Sequence, residues 1–367
     1  MIVKSILSRI GQMIIVLFVL STVTFILMKL APGDPVDKIL HLDEANVSHQ
    51  QVEQTRESLG LNASFLSQYI HWLGQVIHLN FGQSYQTGEP VTQELLYYTP
   101  PTLIIAGATI GVVFLVTVPL GILAAKYYQR ALDRVIRIVT SFVVSIPSFF
   151  IGIILIYCLS EQLHWLPSSG IDSPLSYVMP VVALSLGVSA YYVRLMRSRL
   201  VEGYYSREVQ ASRNRGLSER FILRKDMLRP ALIPIVTMLG MSVGSLIGGT
   251  VVIENLFGIP GIGHFLVDSI RARDYPVVQG AVVMIGCFVV IANTVSDVIL
   301  MWLDPERRVQ TRVDQSGKKA RLKEEAYYEK DNQRLEFAYP PLFGLHGHYR
   351  GESIVCERTS SVRRPLR

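Results

Sequence analysis

Only three cysteines occur among 367 residues, at positions 158, 287 and 356, and their spacing fits neither a disulfide framework nor a metal-ligand set. Cys158 and Cys287 lie in apolar runs and read as small apolar fillers. Charge is scarce as well. Asp, Glu, Lys and Arg make up 17% of the chain, against about 25% in an ordinary soluble protein. No Gly-x-x-x-x-Gly-Lys-Ser/Thr phosphate loop occurs, which excludes the usual nucleotide cradle. No His-Glu-x-x-His and no Gly-x-Ser-x-Gly elbow occurs either. None of the eight histidines falls in a long apolar run, so the serines there have no base beside them and no catalytic constellation forms. His346 and His348 are the only close pair, too little for a metal set. The net charge of +6 does not imply nucleic acid, because its distribution follows another rule.

What is present is hydrophobicity, at 50% of residues. A bilayer core of about 30 Å needs roughly 20 helical residues. Six stretches qualify: Ile10–Leu30, Leu103–Ala125, Ile136–Leu159, Tyr177–Leu195, Ala231–Ile253 and Val278–Leu303. The first resembles a signal peptide, yet it is long and ends at Lys29-Leu30-Ala31-Pro32 without a small-x-small cleavage site. It reads as an uncleaved span with Lys29 reaching to the interface.

The loops sort by charge. The loop after the second span carries Lys126, Arg130, Arg134 and Arg137 against Asp133 alone. From Arg194 to Arg229 there are ten Lys/Arg against four Asp/Glu, a net of +6. The segment 161–176 has no Lys or Arg, and 34–100 is acidic. Basic loops stay inside. Both termini are therefore expected in the cytoplasm, and segments 31–101, 161–176 and 254–277 outside. The first outer segment opens with the capping-box pattern Ser48-His49-Gln50-Gln51, has a stop at Gly60, and continues with an apolar stripe from Phe65 to Ile77. It reads as a small helical cap packed on the membrane core, with docking of an external partner, best on its acidic face, as the alternative.

Within the spans, Gly240, Gly244 and Gly248 recur every four residues with Gly249 beside them, either for helix packing or for a smooth pathway wall. Pro119 and Pro147 are expected to kink the second and third spans. Asn293 and Asp297 fall inside the sixth, where a carboxylate needs water or a partner. A basic cytoplasmic loop on a multispan chain with no motor suggests a permease half driven by other subunits. A channel or a membrane scaffold fits the same composition.

Several signatures then occur in order. Ala31-Pro32-Gly33-Asp34-Pro35 follows the first span, and Asn80-Phe81-Gly82-Gln83-Ser84 precedes Pro90-Val91. Ser145-Ile146-Pro147-Ser148-Phe149 lies in the third span and Trp165-Leu166-Pro167-Ser168-Ser169-Gly170 just after it. Ile247-Gly248-Gly249-Thr250 leads to Glu254-Asn255-Leu256-Phe257 and Pro260-Gly261-Ile262-Gly263. Asn293, Asp297 and Asp304-Pro305-Glu306-Arg307 close the set. Over about residues 1–308 the chain resembles the inner-membrane permeases of ATP-binding-cassette importers in the dipeptide/oligopeptide/nickel group.

The resemblance implies an all-α, six-helix type I ABC-importer permease fold in the bacterial cytoplasmic (inner) membrane. Residues 1–31 would form the first span and 32–101 an outer helical cap. Residues 102–308 would form a five-helix core with a coupling loop at 196–229. Residues 309–367 lie beyond the resemblance, and their polar, charged composition with Pro340-Pro341 predicts a mostly disordered tail. The family's Glu-Ala-Ala-x-x-x-Gly motif falls on Gln210, Ala211, Ser212 and Gly216: Gln210 replaces the Glu, Ser212 replaces the second Ala, and Ala211 and Gly216 are kept. Arg213 and Arg215 are expected to pair with acidic groups on an ATPase. Glu254, Asn255, Phe257, Pro260 and Gly261 are expected at an outer gate or at a docking surface for a binding protein. The implied partners are a second homologous permease, two cytoplasmic ATPases that use ATP and Mg, an extracellular binding protein, and the bilayer, with no nucleic acid. No cofactor is expected on this chain. The Ile247–Phe257 run favours nickel or a nickel chelate as cargo, with a di- or oligopeptide second and a non-transporting scaffold third.

Overall fold

A computed structural model describes residues 2–30, 35–40 and 48–303. The motif residues 31–34 and 304–307 and the tail 309–367 lie outside the described residues.

Helix α1, Ile2–Leu30, is apolar from Gly11 onward and packs along the C-terminal long helix. A short helix α2, Pro35–Ile39, leads to the outer segment. There, α3 (His49–Ser58) begins at a capping box: the Ser48 hydroxyl accepts the Gln51 N–H, and the Gln51 side chain accepts the Ser48 N–H. Gly60 reverses the chain at φ +65°. Helix α4, Phe65–Ile77, packs Tyr69 and Trp72 onto Phe25 of α1, with ring centroids 5.2 and 6.0 Å away. Part of its apolar stripe touches the core in this way, while Leu66, Ile70 and Ile77 remain exposed.

Helix α5 runs from Val91 to Lys126. At 1.5 Å per residue its 36 residues measure about 54 Å, well beyond a bilayer core. The second span therefore begins earlier than its apolar run and rises into the outer segment. Pro100, Pro101 and Pro119 lie inside it without ending it. Helix α5 continues through Pro119 to Lys126. Close packing on its neighbour α8 (Val178–Tyr204) offsets the lost hydrogen bond: Gly121 leaves room where a Cβ would meet Met196 at 2.5–2.7 Å.

The third span differs more from the expected continuous helix with a kink. It divides into α6 (Ala131–Val144) and α7 (Ser148–Leu155), which continues as a π-helical turn over Ile156–Gln162; the halves meet at 97°. Pro147 has no N–H for the preceding turn and disfavours helical backbone at Ile146, so α6 ends and Pro147 caps α7 in extended geometry. Five described helices are long and apolar enough to span on their own, or six if this bent pair is one span.

Helix α8 is the hub and packs on α5, α6, α7 and a later long helix. It leads into α9 (Arg207–Asn214), α10 (Glu219–Ile222) and a π turn at Leu223–Met227. Helix α11, Leu228–Leu256, returns across, and α12 (Ile262–Ala272) forms the outer corner. Helix α13, Tyr275–Leu303, closes the bundle against α11 and α1, and Leu17 and Leu20 of α1 lie over Gly286.

Candidate functional site

The Gln210–Gly216 segment forms a short helical elbow on the basic face. The Ser206 hydroxyl caps α9 by accepting the Val209 N–H at 3.3 Å. Val209 is the apolar anchor: it is fully buried in a cluster with Met196, Leu200, Ile222, Met227 and Ile235. That single contact fixes which face points out. Gln210, Ala211, Asn214 and Arg215 are exposed.

The elbow closes at Gly216. Its N–H donates to the Arg213 carbonyl at 2.9 Å, and the Leu217 N–H donates to the Ser212 carbonyl at 3.2 Å. This is a Schellman ending, which needs a left-handed residue one place past the cap. Gly216 supplies it at φ +76°. Nothing lies within 4 Å of where its Cβ would be, so the requirement is conformational rather than steric.

The chain reversal then brings together residues that the linear motif leaves apart. The Ser212 hydroxyl donates to Asp226 at 2.7 Å. Arg213 donates two bonds to Glu219, at 2.7 and 3.2 Å, and stacks 4.1 Å over the Tyr204 ring. Glu219 holds the Arg213 guanidinium above its ordinary range, first through these hydrogen bonds. Arg213, expected to face a partner's acidic groups, is therefore engaged within its own chain. Arg215 is exposed and no described carboxylate pairs with it. Asp226, Glu219 and Tyr204 escaped the motif reading because they contribute through the reversal, not through the α9 repeat.

An ion pair on a buried carboxylate also lies on this face. The buried Asp133 of α6 receives the Arg197 guanidinium of α8 through two bonds, at 2.5 and 2.8 Å, and the Gln129 N–H at 2.9 Å. It clasps the start of the broken span to the helix that carries the elbow.

At the opposite end, Glu254 is fully buried at the end of α11. It accepts the Thr102 hydroxyl at 2.7 Å and the His264 N–H at 3.0 Å, and the Gly263 N–H also bonds to it. The Ile262 N–H in turn donates to Thr102 at 2.9 Å. One carboxylate thus joins α5, α11 and the start of α12, where helical N–H groups favour an anion. The glycines follow from this approach. A Cβ on Gly261 would overlap the Glu254 carboxyl group, and one on Gly263 would lie 2.7 Å from the Val251 Cα. Phe257 is buried among Ile151, Met179 and Leu184. Glu254 and Phe257 are both buried and hold the outer corner together. Asn255 and Pro260 are half-buried, and Asn255 accepts from His264 at 3.1 Å when that ring carries its Nδ1 proton.

The α11 glycines divide between neighbours. Gly240 faces α13, where a Cβ would stand 2.5 Å from the Ser296 Cβ, and Gly244 faces Val289. Gly249 faces Leu184 of α8, and Gly248 faces open space. Asn293 and Asp297 sit half-buried in α13. Among the described residues, no three His, Cys, Asp or Glu side chains converge in a metal-holding group.

This arrangement defines a class: a multi-pass helical membrane protein with a bonded elbow at one end and a polar knot at the other. Residues 117–309 match the family of binding-protein-dependent transport system inner membrane components, and residues 2–106 match the N-terminal component of that family. The chain belongs to this family of permeases and is a multi-pass protein of the cell membrane. It is 53% identical over 311 residues to the nickel import system permease protein NikB of Staphylococcus aureus (strain USA300), covering 84% of this chain and 93% of that relative. The NikB of strain bovine RF122 / ET3-1 is 52% identical over the same shares. Among solved structures, the MetNI methionine ABC transporter in inward-facing conformations matches 59% of this chain and 99% of the compared chain, at 19% identity and a TM-score of 0.48.

Proposed function

We propose that this chain is one permease half of an ATP-driven importer for nickel, carried as the ion or as a chelate. The observation that carries the reading is 53% identity across nearly the whole length of relatives named nickel import permeases. In this reading a second, homologous permease completes the pathway, two cytoplasmic ATPases supply the motion, and an extracellular protein delivers cargo.

The geometry gives the motion a route. An ATPase that closes on ATP would press the exposed Gln210, Ala211, Asn214 and Arg215 face of α9. The elbow would not yield alone, because Val209 anchors it to the helix ends and Ser212 and Arg213 tie it to α10 and to the turn that leads into α11. Force would pass to α8 and α11 together, and through Asp133–Arg197 to the broken span. Rigid-body motion of packed helices of this kind switches access from one side to the other. The knot at Glu254 would hold the outer corner as one body during that switch.

The test is complementation of a strain that lacks its nickel permease. Expression of this chain with its partner subunits should restore accumulation of labelled nickel, with little competition from dipeptides. Restored dipeptide uptake without nickel uptake would move the assignment to the peptide branch. Purified complex that hydrolyses ATP in liposomes but accumulates neither would favour a scaffold.

A further inference from the structure

We infer that the basic face holds a built site for an anionic phospholipid headgroup, separate from the elbow's outward surface. A cavity of about 650 Å³ opens between the ends of α5 and α8 and the α10–α11 junction. That volume lies within the range of about 300–1,000 Å³ usual for small-ligand sites. Its lining is divided by chemistry. Ile122, Leu200, Leu223 and Met227 supply an apolar wall, with Leu200 and Met227 buried. Lys126, Arg130 and Arg220 bring three cations to the same space. Tyr128, Tyr204 and Tyr205 add rings with hydroxyl tips.

The charges are available. None of the three cations pairs with a carboxylate among the described residues. Glu219, the acidic residue of the lining, is occupied by its two bonds to Arg213. The cavity therefore presents unneutralised positive charge beside apolar surface. Its height matches this reading: Lys126 is the last residue of α5, and Tyr204 is the last of α8. Both helices qualify as spans, so their ends mark the inner interface, where the charge pattern places these loops. A phosphodiester with attached acyl chains meets all three conditions, with phosphate on Lys126, Arg130 and Arg220 and chains along the apolar wall. Basic pockets between the cytoplasmic ends of membrane helices suit such headgroups. A soluble anion would leave the apolar wall unused. The inference does not depend on the identity of the cargo.

The test uses the full chain with its partner subunits, extracted in mild detergent and titrated with dioleoyl-phosphatidylglycerol or dioleoyl-phosphatidylcholine, with bound lipid counted by native mass spectrometry. Wild type should retain one phosphatidylglycerol at least tenfold more tightly than phosphatidylcholine. The K126Q/R130Q/R220Q variant should lose that preference, while R207Q/R224Q, whose arginines lie outside the cavity, should keep it. R130Q alone, at an exposed position, should lose about threefold and covers the case of a triple variant that fails to fold. Equal retention of the two lipids, or equal loss in R207Q/R224Q, would overturn the site. Displacement of the lipid by millimolar inorganic phosphate would show an anion site without lipid selectivity and would equally overturn it. Displacement by the chain's own tail, read as tighter lipid binding after deletion of residues 310–367, would assign the cavity to the tail instead.

Discussion

At the scale of single residues, two positions concentrate the chemistry. Gly216 is held at φ +76°, where an L side chain costs roughly 1–2 kcal/mol. Asn is tolerated there better than a β-branched residue. In proteoliposomes, nickel transported per ATP hydrolysed should therefore fall in the order wild type, Gly216→Asn, Gly216→Val, with ATP hydrolysis persisting. An unchanged ratio in Gly216→Val would mean that the elbow's ending is not needed for coupling. Glu254 is the second position. Both its oxygens accept bonds from Thr102, His264 and Gly263, and a glutamine amide would set an N–H against one of those donors. Hydrogen bonds to a charged group are worth about 1.5–3 kcal/mol. Glu254→Gln should lower the thermal midpoint of the detergent-solubilised protein by several degrees, more than Glu208→Gln on the exposed elbow. Equal midpoints would mean that the knot contributes nothing to stability.

At the scale of elements, the broken third span and its clasp belong together. Asp133 is fully buried and the Arg197 side chain keeps 17% exposure. Breaking a buried pair from one side costs about 3–5 kcal/mol, and the residual exposure of Arg197 places this one near the lower end. Asp133→Asn and Arg197→Gln should each destabilise, and the double variant should cost clearly less than their sum. A double-mutant cycle on thermal midpoints checks this, and additive losses would show the two residues to be uncoupled. The same region shows what was legible beforehand. Apolar runs marked every span, because burial in lipid needs only composition and length. A kink at Pro147 could be read, but not a full break, because residues 136–159 are apolar on both sides of it and proline alone does not decide. Pro119 and Pro234 sit inside continuous helices, where packing outweighs one lost hydrogen bond. The elbow's glycine could be read from its motif, since a helix ending is a local event. The Ser212–Asp226 and Arg213–Glu219 bonds could not, since they exist only once Gly216 has reversed the chain.

At the scale of the whole molecule, α11 separates the inside of this subunit from whatever covers it. Its packed side is closed: Gly240 admits Ser296 of α13, and overpacking there costs about 1–3 kcal/mol. Its other side is bare. Met241, Ser245, Gly248 and Val252 are all exposed, and their spacing of four, three and four residues draws one stripe along the helix. Nothing stands within 4 Å of a Cβ on Gly248. Lipid would tolerate a large side chain on this stripe, whereas a second permease or a shared pathway would not. The two glycines should therefore fail in opposite ways. Gly240→Val should reduce folded yield of the isolated chain. Gly248→Trp should leave its yield and thermal midpoint near wild type, yet abolish uptake or assembly with the second permease, read as nickel accumulation in cells and as co-purification of the partner. Normal uptake by Gly248→Trp at normal expression would place the stripe against lipid and move the pathway to another face of the bundle.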